Sequence, residues 1–306
     1  MHFLHDGACS RSCGPVAPWG PAPTLGGMSN THRGNPGSAV IAFIGGGNMA
    51  SALIGGLVQT GTPAGLIRVV EPHGPQRQAL QARFGVQAQA VADEGLSAAG
   101  MVVWAVKPQL FRDAAATCAG LVRGALQISV MAGIRCATIE AASGTARIVR
   151  AMPNTPALIG QGIAGLYARP AVAPAERERV DRLFAPTGRS VWVAEEADLD
   201  AVTALSGSGP AYGFYLIEAM VEAAQRMGLS AEQGREMAIQ TLLGASMLAQ
   251  QSAQSPAELR AQVTSKGGTT HAAISHLEAQ AVKETIVQAL LAAQARSREL
   301  GDEFGR

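Results

Sequence analysis

The chain has 306 residues, with 24 Lys and Arg against 23 Asp and Glu. That length can bury two cores, and the near-neutral charge, without a basic stripe or an aromatic platform, argues against a nucleic-acid binder. Apolar residues make up 47%, yet every apolar run is broken well short of the ~20 residues a membrane span needs, so the composition is that of a soluble protein rather than a membrane protein.

Residues 1–38 are rich in Gly, Pro and Ser and show no periodicity. They lack the charged start and continuous apolar stretch of a secretory signal and read as a disordered N-terminal extension. Met28 is an alternative start. Starting there would leave Cys118 and Cys136 as the chain's thiols, both in apolar contexts that suit core cysteines and a reducing cytoplasm.

Structure is expected to begin with VIAFIGGGNMASALIGG, an apolar run into Gly45, Gly47 and Ala50 followed by an Ala-rich helical stretch. This reads as strand, tight turn and helix. In a dinucleotide-binding unit Gly45 makes the turn, Gly47 admits the pyrophosphate to the backbone, and Ala50 lets helix pack closely on strand. A second strand-like run, LIRVV, ends in the acidic Glu71, at about the ~20-residue interval at which a carboxylate meets the ribose. Together these favour a bound dinucleotide.

Further apolar runs follow at GMVVWAV, ALQISVMA and ARIVRA, separated by the helix-compatible PQLFRDAAATCAGLV and RCATIEAASG. Such alternation predicts a parallel sheet covered on both faces, with a ligand crevice at the carboxyl ends of its strands. Val106-Lys107-Pro108 and Val130-Met131-Ala132-Gly133 lie at two of those ends. Pro108 biases Lys107 toward extended geometry. Lys107 is either a cofactor contact or a solvated loop lysine. ARIVRA runs into AMPNTP, where two prolines bracket Asn154 and Thr155 and stiffen the loop, making it a candidate wall of the site.

After about Glu196 strand signals give way to long helical segments. Ser206 to Pro210 is a small-residue turn opening a helix, with Pro210 in its first turn. Ala, Met and Leu occupy more than one helix face, which predicts burial against one another and against a partner chain. In PAELRAQVTSKGGTTHAAISHLE, Ser255, Pro256 and Glu258 form a capped helix start, with the helix running to about Val263. Gly267 and Gly268 stop it. Thr269 and Thr270 open the next helix, where free N–H groups and the macrodipole favour a carboxylate.

FIGGGNMASALIGG, AVKPQ, AMPNTP, LSGSGPAY and VTSKGGTTHAAISHLE, in this order and spacing over about residues 40–300, resemble the pyrroline-5-carboxylate reductases. The resemblance implies an α/β fold: an N-terminal Rossmann-like, doubly wound, mainly parallel sheet, here residues 39–196, followed by an all-α helical dimerisation and substrate domain, residues 197–306. It implies a homodimer or higher homo-oligomer with interlocked helices and a site shared between subunits. The reaction it implies is reduction of L-1-pyrroline-5-carboxylate to L-proline with NADPH or NADH, and the location cytoplasmic.

Carried over by position, the resemblance places the cofactor on Ile44, Gly45, Gly47, Asn48, Met49, Glu71, Ala105, Val106, Lys107, Pro108, Val130, Met131, Ala132 and Asn154. The substrate falls on Ser208, Gly209, Pro210, Ser265, Gly267, Gly268, Thr269 and Thr270. Thr270 aligns with the threonine whose hydroxyl contacts the imine nitrogen, as donor and orienter beside a water; the carboxylate would rest on the N–H groups of Gly268, Thr269 and Thr270.

Three departures stand out. Lys266 replaces a frequent proline of the turn. Glu71 stands where NADPH-preferring relatives often carry a small hydroxyl residue; it favours NADH, offset by His73 and Arg77 nearby. Gln251 and Ala253 occupy a region where some relatives place an acidic residue. No metal is expected, since His271 and His276 do not share a helix face and Cys9 with Cys13 lacks a second ligand pair. Competing readings are a reductase of another cyclic imine such as piperideine carboxylate, a hydroxyacid-type dehydrogenase with Lys283 as its late lysine, and a non-catalytic dinucleotide-binding regulator.

Overall fold

The computed structural model describes residues 40–304; the extension, Met28, Cys9 and Cys13 lie outside them. These residues form two compact units. One comprises residues 40–219 and 277–304, the other Met220–His276.

The larger unit is built on an eight-stranded sheet in the order β3-β2-β1-β4-β5-β6-β7-β8. Its strands are β1 Val40–Ile44, β2 Ile67–Val70, β3 Gln87–Gln89, β4 Ala99–Trp104, β5 Leu126–Ser129, β6 Ile148–Met152, β7 Gly162–Ala168 and β8 Gly188–Trp192. All pairings are parallel except β6 with β7. The central strands are buried along nearly their whole length, as parallel strands covered on both faces must be. Alternate residues feed two cores. Phe43, Val69, Val103 and Ile128 join Leu53 and Ile54 of helix α1 (Asn48–Gln59) on one face. Ala42, Val102 and Trp104 join Phe111 of α3 (Phe111–Cys118) and Ile139 of α4 (Cys136–Ser143) on the other. Helices α2 (Gly74–Phe84) and α5 (Pro174–Phe184) complete the crossovers. Because β1 sits between β2 and β4, the chain leaves it in both directions, and the topological switch point lies at its carboxyl end.

The expected strands are present; β3 and β8 carry no clear apolar signature, and β7, GIAGLYA, is an apolar run interrupted by glycines. β7 contains Gly162 and Gly165 because neighbours crowd it: a Cβ on Gly165 would lie 2.5 Å from Val202 Cγ1, and one on Gly162 would lie 2.8 Å from the Ala157 backbone.

Among the described residues no strand follows β8. α6 (Asp198–Val202) continues into a π-helical turn, Thr203–Gly207, and then α7 (Gly209–Arg226). Ser206 and Gly207 therefore sit in a widened helical turn rather than an open one; the Ser208 N–H reaches the Thr203 carbonyl at 2.8 Å. α8 (Ala231–Gln251), α9 (Pro256–Gln262), α10 (Thr269–Ala279) and α11 (Val282–Phe304) follow. Apolar side chains stand open on these helices: Phe214, Tyr215, Ile286 and Leu291 in the larger unit, Met237, Leu243 and Met247 in the smaller. Among the described residues no helix is long and apolar enough to cross a membrane.

Candidate active site

The glycine loop after β1 is built as its sequence requires. Gly45 has φ +98°, and a Cβ there would lie 2.6 Å from the Ala105 carbonyl oxygen, so glycine is obligatory. Its N–H reaches the Val70 carbonyl at 2.8 Å. Gly47 caps α1 with φ −67° and has no side-chain cap; no atom lies within 4 Å of where its Cβ would be. The open backbone there faces the positive end of α1, whose first turn carries no acidic residue. Such a helix start receives an anion, so the residues present fit a dinucleotide pyrophosphate. Ala50 is fully buried under the loop. Gly47 and Asn48 are exposed and Met49 half-buried, while Ile44, which ends β1, is buried.

The intervening Gly46 escaped the sequence reading. A Cβ on it would come within 2.6 Å of Leu80 Cδ1; its N–H donates to Glu71 Oε2 at 2.8 Å, and its carbonyl accepts from the Gln76 side chain. The third glycine of the GGG run was the available signal. Glu71 also accepts from the His73 N–H, 2.8 Å to Oε1, so the carboxylate braces the loop. It retains lone pairs for a hydroxyl. Arg77 donates to the carbonyls of Glu71, at 2.8 Å, and Pro72, at 2.6 Å.

At the β4 exit Ala105, Val106 and Pro108 are half-buried and Lys107 is exposed in extended geometry, φ −63° and ψ 141°. At the β5 exit Val130 leans toward one core, Met131 is buried in the other, and Ala132 is half-buried. These segments thus join the glycine loop along the strand ends. Asn154 is buried and committed internally: its Nδ2 donates to the Ser206 carbonyl at 3.1 Å, and its Oδ1 accepts from the Ile163 N–H at 3.0 Å. Its side chain fastens AMPNTP to β7 and to the π turn. Ser208, Gly209 and Pro210 are half-buried where that turn becomes α7, and Tyr212 closes over it with its hydroxyl on the Ala204 carbonyl at 3.1 Å.

In the smaller unit, Ser255 and Glu258 make the reciprocal capping box at the start of α9. The Ser255 N–H, and then its hydroxyl, hold the Glu258 carboxyl below its ordinary pKa. Gly267 has φ +78°, the turn's requirement for glycine. Ser265, Gly267 and Thr269 are exposed, Gly268 and Thr270 half-buried. The Gly268 N–H donates to the Ser265 carbonyl at 3.0 Å, so the turn itself uses it. Thr269 and Thr270, as the first residues of α10, have N–H groups without intrahelical acceptors. Among the described residues no group of three His, Cys, Asp or Glu side chains is placed to hold a metal.

Residues 196–300 match the family model for pyrroline-5-carboxylate reductase dimerisation, and residues 40–133 match that described as NADP oxidoreductase, coenzyme F420-dependent. A pyrroline-5-carboxylate reductase of Pseudomonas aeruginosa is 44% identical over 268 residues, 87% of this chain and 98% of that protein. The chain belongs to the pyrroline-5-carboxylate reductase family. The Haemophilus influenzae enzyme of this family is 40% identical over 87% of the chain and 98% of its own length. Among solved structures, the reductase of Coxiella burnetii superposes with a TM-score of 0.80 at 36% identity, covering 86% of this chain and 99% of that one. The Plasmodium falciparum reductase, solved with NADP bound, gives 0.77 at 27% identity over 86% and 98%. The family's two-part organisation, a mainly parallel sheet followed by helices, is the one seen here.

Proposed function

We propose that the chain reduces L-1-pyrroline-5-carboxylate to L-proline, as a homodimer in the cytoplasm. The observation that carries this is the match along 98% of the Pseudomonas aeruginosa reductase, which spans the glycine loop, the π turn and the Gly-Gly-Thr-Thr turn alike. When bound, NADPH or NADH supplies the hydride that reduces the C=N carbon.

The chain's own residues hold and orient. The N–H groups at Gly47, Asn48 and Met49 receive the pyrophosphate, Glu71 accepts from the ribose, and the backbone of Val130 to Ala132, with Ala105 to Pro108, lines the crevice. The N–H groups of Thr269 and Thr270 take the substrate carboxylate. The Thr270 hydroxyl donates to the ring nitrogen, with a water completing the relay. A protonated imine is already electrophilic, so positioning supplies most of the rate. The open apolar faces of α7 and α11 supply dimer contacts, and the buried, unpaired thiols of Cys118 and Cys136 suit a reducing compartment. The test is growth of a bacterial strain lacking its own reductase: expression of this chain should restore growth without proline, and failure by well-expressed protein would count against the proposal.

A further inference from the structure

Asp200 takes no part in the proposed chemistry, yet it is a carboxylate only 4% exposed. An ionised group at that depth is costly unless both oxygens are satisfied, and here they are. Oδ1 accepts from the Ser297 hydroxyl of α11 at 2.8 Å; Oδ2 faces Arg135 Nη1 at 3.2 Å. Arg135 ends the β5 exit loop and caps α4. The carboxylate of Asp200 therefore joins the last third of α11 to the loop that begins with Val130.

The loop and α11 approach closely at two glycines. Gly133 has φ +76°, and a Cβ on it would lie 3.0 Å from the Phe304 ring and 3.4 Å from the Leu300 carbonyl. From the other side, a Cβ on Gly301 would lie 2.5 Å from Arg135 Nη2. A second carboxylate pins the same corner: Glu196 Oε1 accepts from the Cys136 N–H and from Arg150 Nη1, each at 2.7 Å. The loop between Ser129 and Cys136 is thus fixed at one end by the sheet and at the other by charged bonds, with Val130 to Ala132 between.

We propose that Arg135, Asp200 and Ser297 form a positioning latch that presses the β5 exit loop against α11 and so sets the backbone of Val130 to Ala132; that loop lies across β1 from Glu71, so with the ribose on Glu71 at one end of the dinucleotide it faces the other, nicotinamide end. It rests on the functional reading above. The three are positioning residues; none touches the reacting atoms. α11 is then a strut for hydride transfer, and loosening the latch lets the nicotinamide ring wander while the pyrophosphate stays anchored on α1.

Two variants attack the latch from opposite sides. Ser297→Ala removes one bond from Asp200 and keeps the shape, with Ser297→Thr as the conservative rescue. Gly301→Ala favours the helix by propensity but drives the flexible Arg135 guanidinium off Asp200. Both alanine variants should lower kcat with pyrroline-5-carboxylate by about tenfold, the scale of a small misplacement. KM for NADPH should stay within about twofold, and the primary isotope effect with NADPH deuterated at the transferred position of C4 should rise. Bound NADPH should show a shorter fluorescence lifetime in both, and Ser297→Thr should restore all three. Unchanged kcat, isotope effect and lifetime in folded variants, or a lowered melting temperature alone, would overturn the latch. Absence of turnover by the wild-type protein would instead overturn the functional reading, and the NADPH lifetime would still decide the latch.

Discussion

Gly45 and Gly47 are two residues apart, yet the structure assigns them opposite sensitivities to the same added methyl group. At Gly45 an alanine would have to hold φ +98°, which costs about 1–2 kcal/mol. It would also collide with rigid backbone, 2.6 Å from the Ala105 oxygen and 2.9 Å from the Val106 nitrogen. Relief requires parting the β1 and β4 exits, which weakens the bonds from Gly45 N–H to Val70 and from Ala105 N–H to Ile44, both 2.8 Å, at about 1 kcal/mol each. Gly45→Ala should therefore lose about 3–4 kcal/mol, a large share of the ~5–15 kcal/mol that a domain possesses.

Gly47→Ala meets no atom and no strain. The poorer cap and the stiffer unfolded chain nearly cancel, leaving stability within about 1 kcal/mol of wild type. Its methyl would instead occupy the approach to the α1 N–H groups. Loss of one charge-assisted bond to phosphate costs about 1.5–3 kcal/mol, or about ten- to a hundredfold in Kd. Urea denaturation followed by circular dichroism, and NADPH titration followed by fluorescence, separate the two effects. Equal stability losses in both variants, or wild-type NADPH affinity in Gly47→Ala, would refute the assignment of this loop.

Thr270→Val keeps the shape of the side chain and removes its hydroxyl; it should lower turnover while fold and NADPH affinity persist, and unchanged turnover would place the donor elsewhere. Glu71→Ser should raise the ratio of kcat/KM for NADPH over NADH by about tenfold as a like charge leaves the ribose site, with a modest fall in melting temperature from the lost bonds to Gly46 and His73; a large NADPH preference already present and unmoved would contradict this. Burial, then the nearby Glu196 carboxylate, pushes the Cys136 thiol up to about 12. Its unfolded counterpart ionises first, so the stability this thiol contributes is complete below about pH 8.5 and is lost as pH rises toward 12. Denaturation midpoints should fall across that alkaline window less steeply in Cys136→Ser, and the Cys136 peptide should resist alkylation at pH 8 until denaturant is added; rapid labelling of the folded protein would contradict the burial.

Much of the larger unit was legible because its strands are buried runs and its punctuation is glycine and proline. Gly45, Pro108 and Gly267 each announce a backbone need that the structure meets with φ +98°, a preceding extended residue and φ +78° respectively. β7 and β8 stayed hidden because Gly162, Gly165 and Gly188 weaken their apolar pattern for reasons of close contact that a linear sequence does not display. The dual use of Glu71, the internal commitment of Asn154 and the self-contained bond of the Gly268 N–H were illegible for a similar reason: residue type fixes what a group can donate or accept, not which partner takes it. The Asp200 contacts link residues 65 and 97 positions away, far beyond any local motif.

Reduction of a five-membered cyclic imine is read out by following oxidation of NADPH and of NADH by the purified protein, with pyrroline-5-carboxylate and piperideine carboxylate supplied in parallel. The expected result is rapid turnover of the five-membered ring with proline as product. Turnover confined to the six-membered ring would contradict the substrate assignment, and silence with both would contradict the assignment as a reductase.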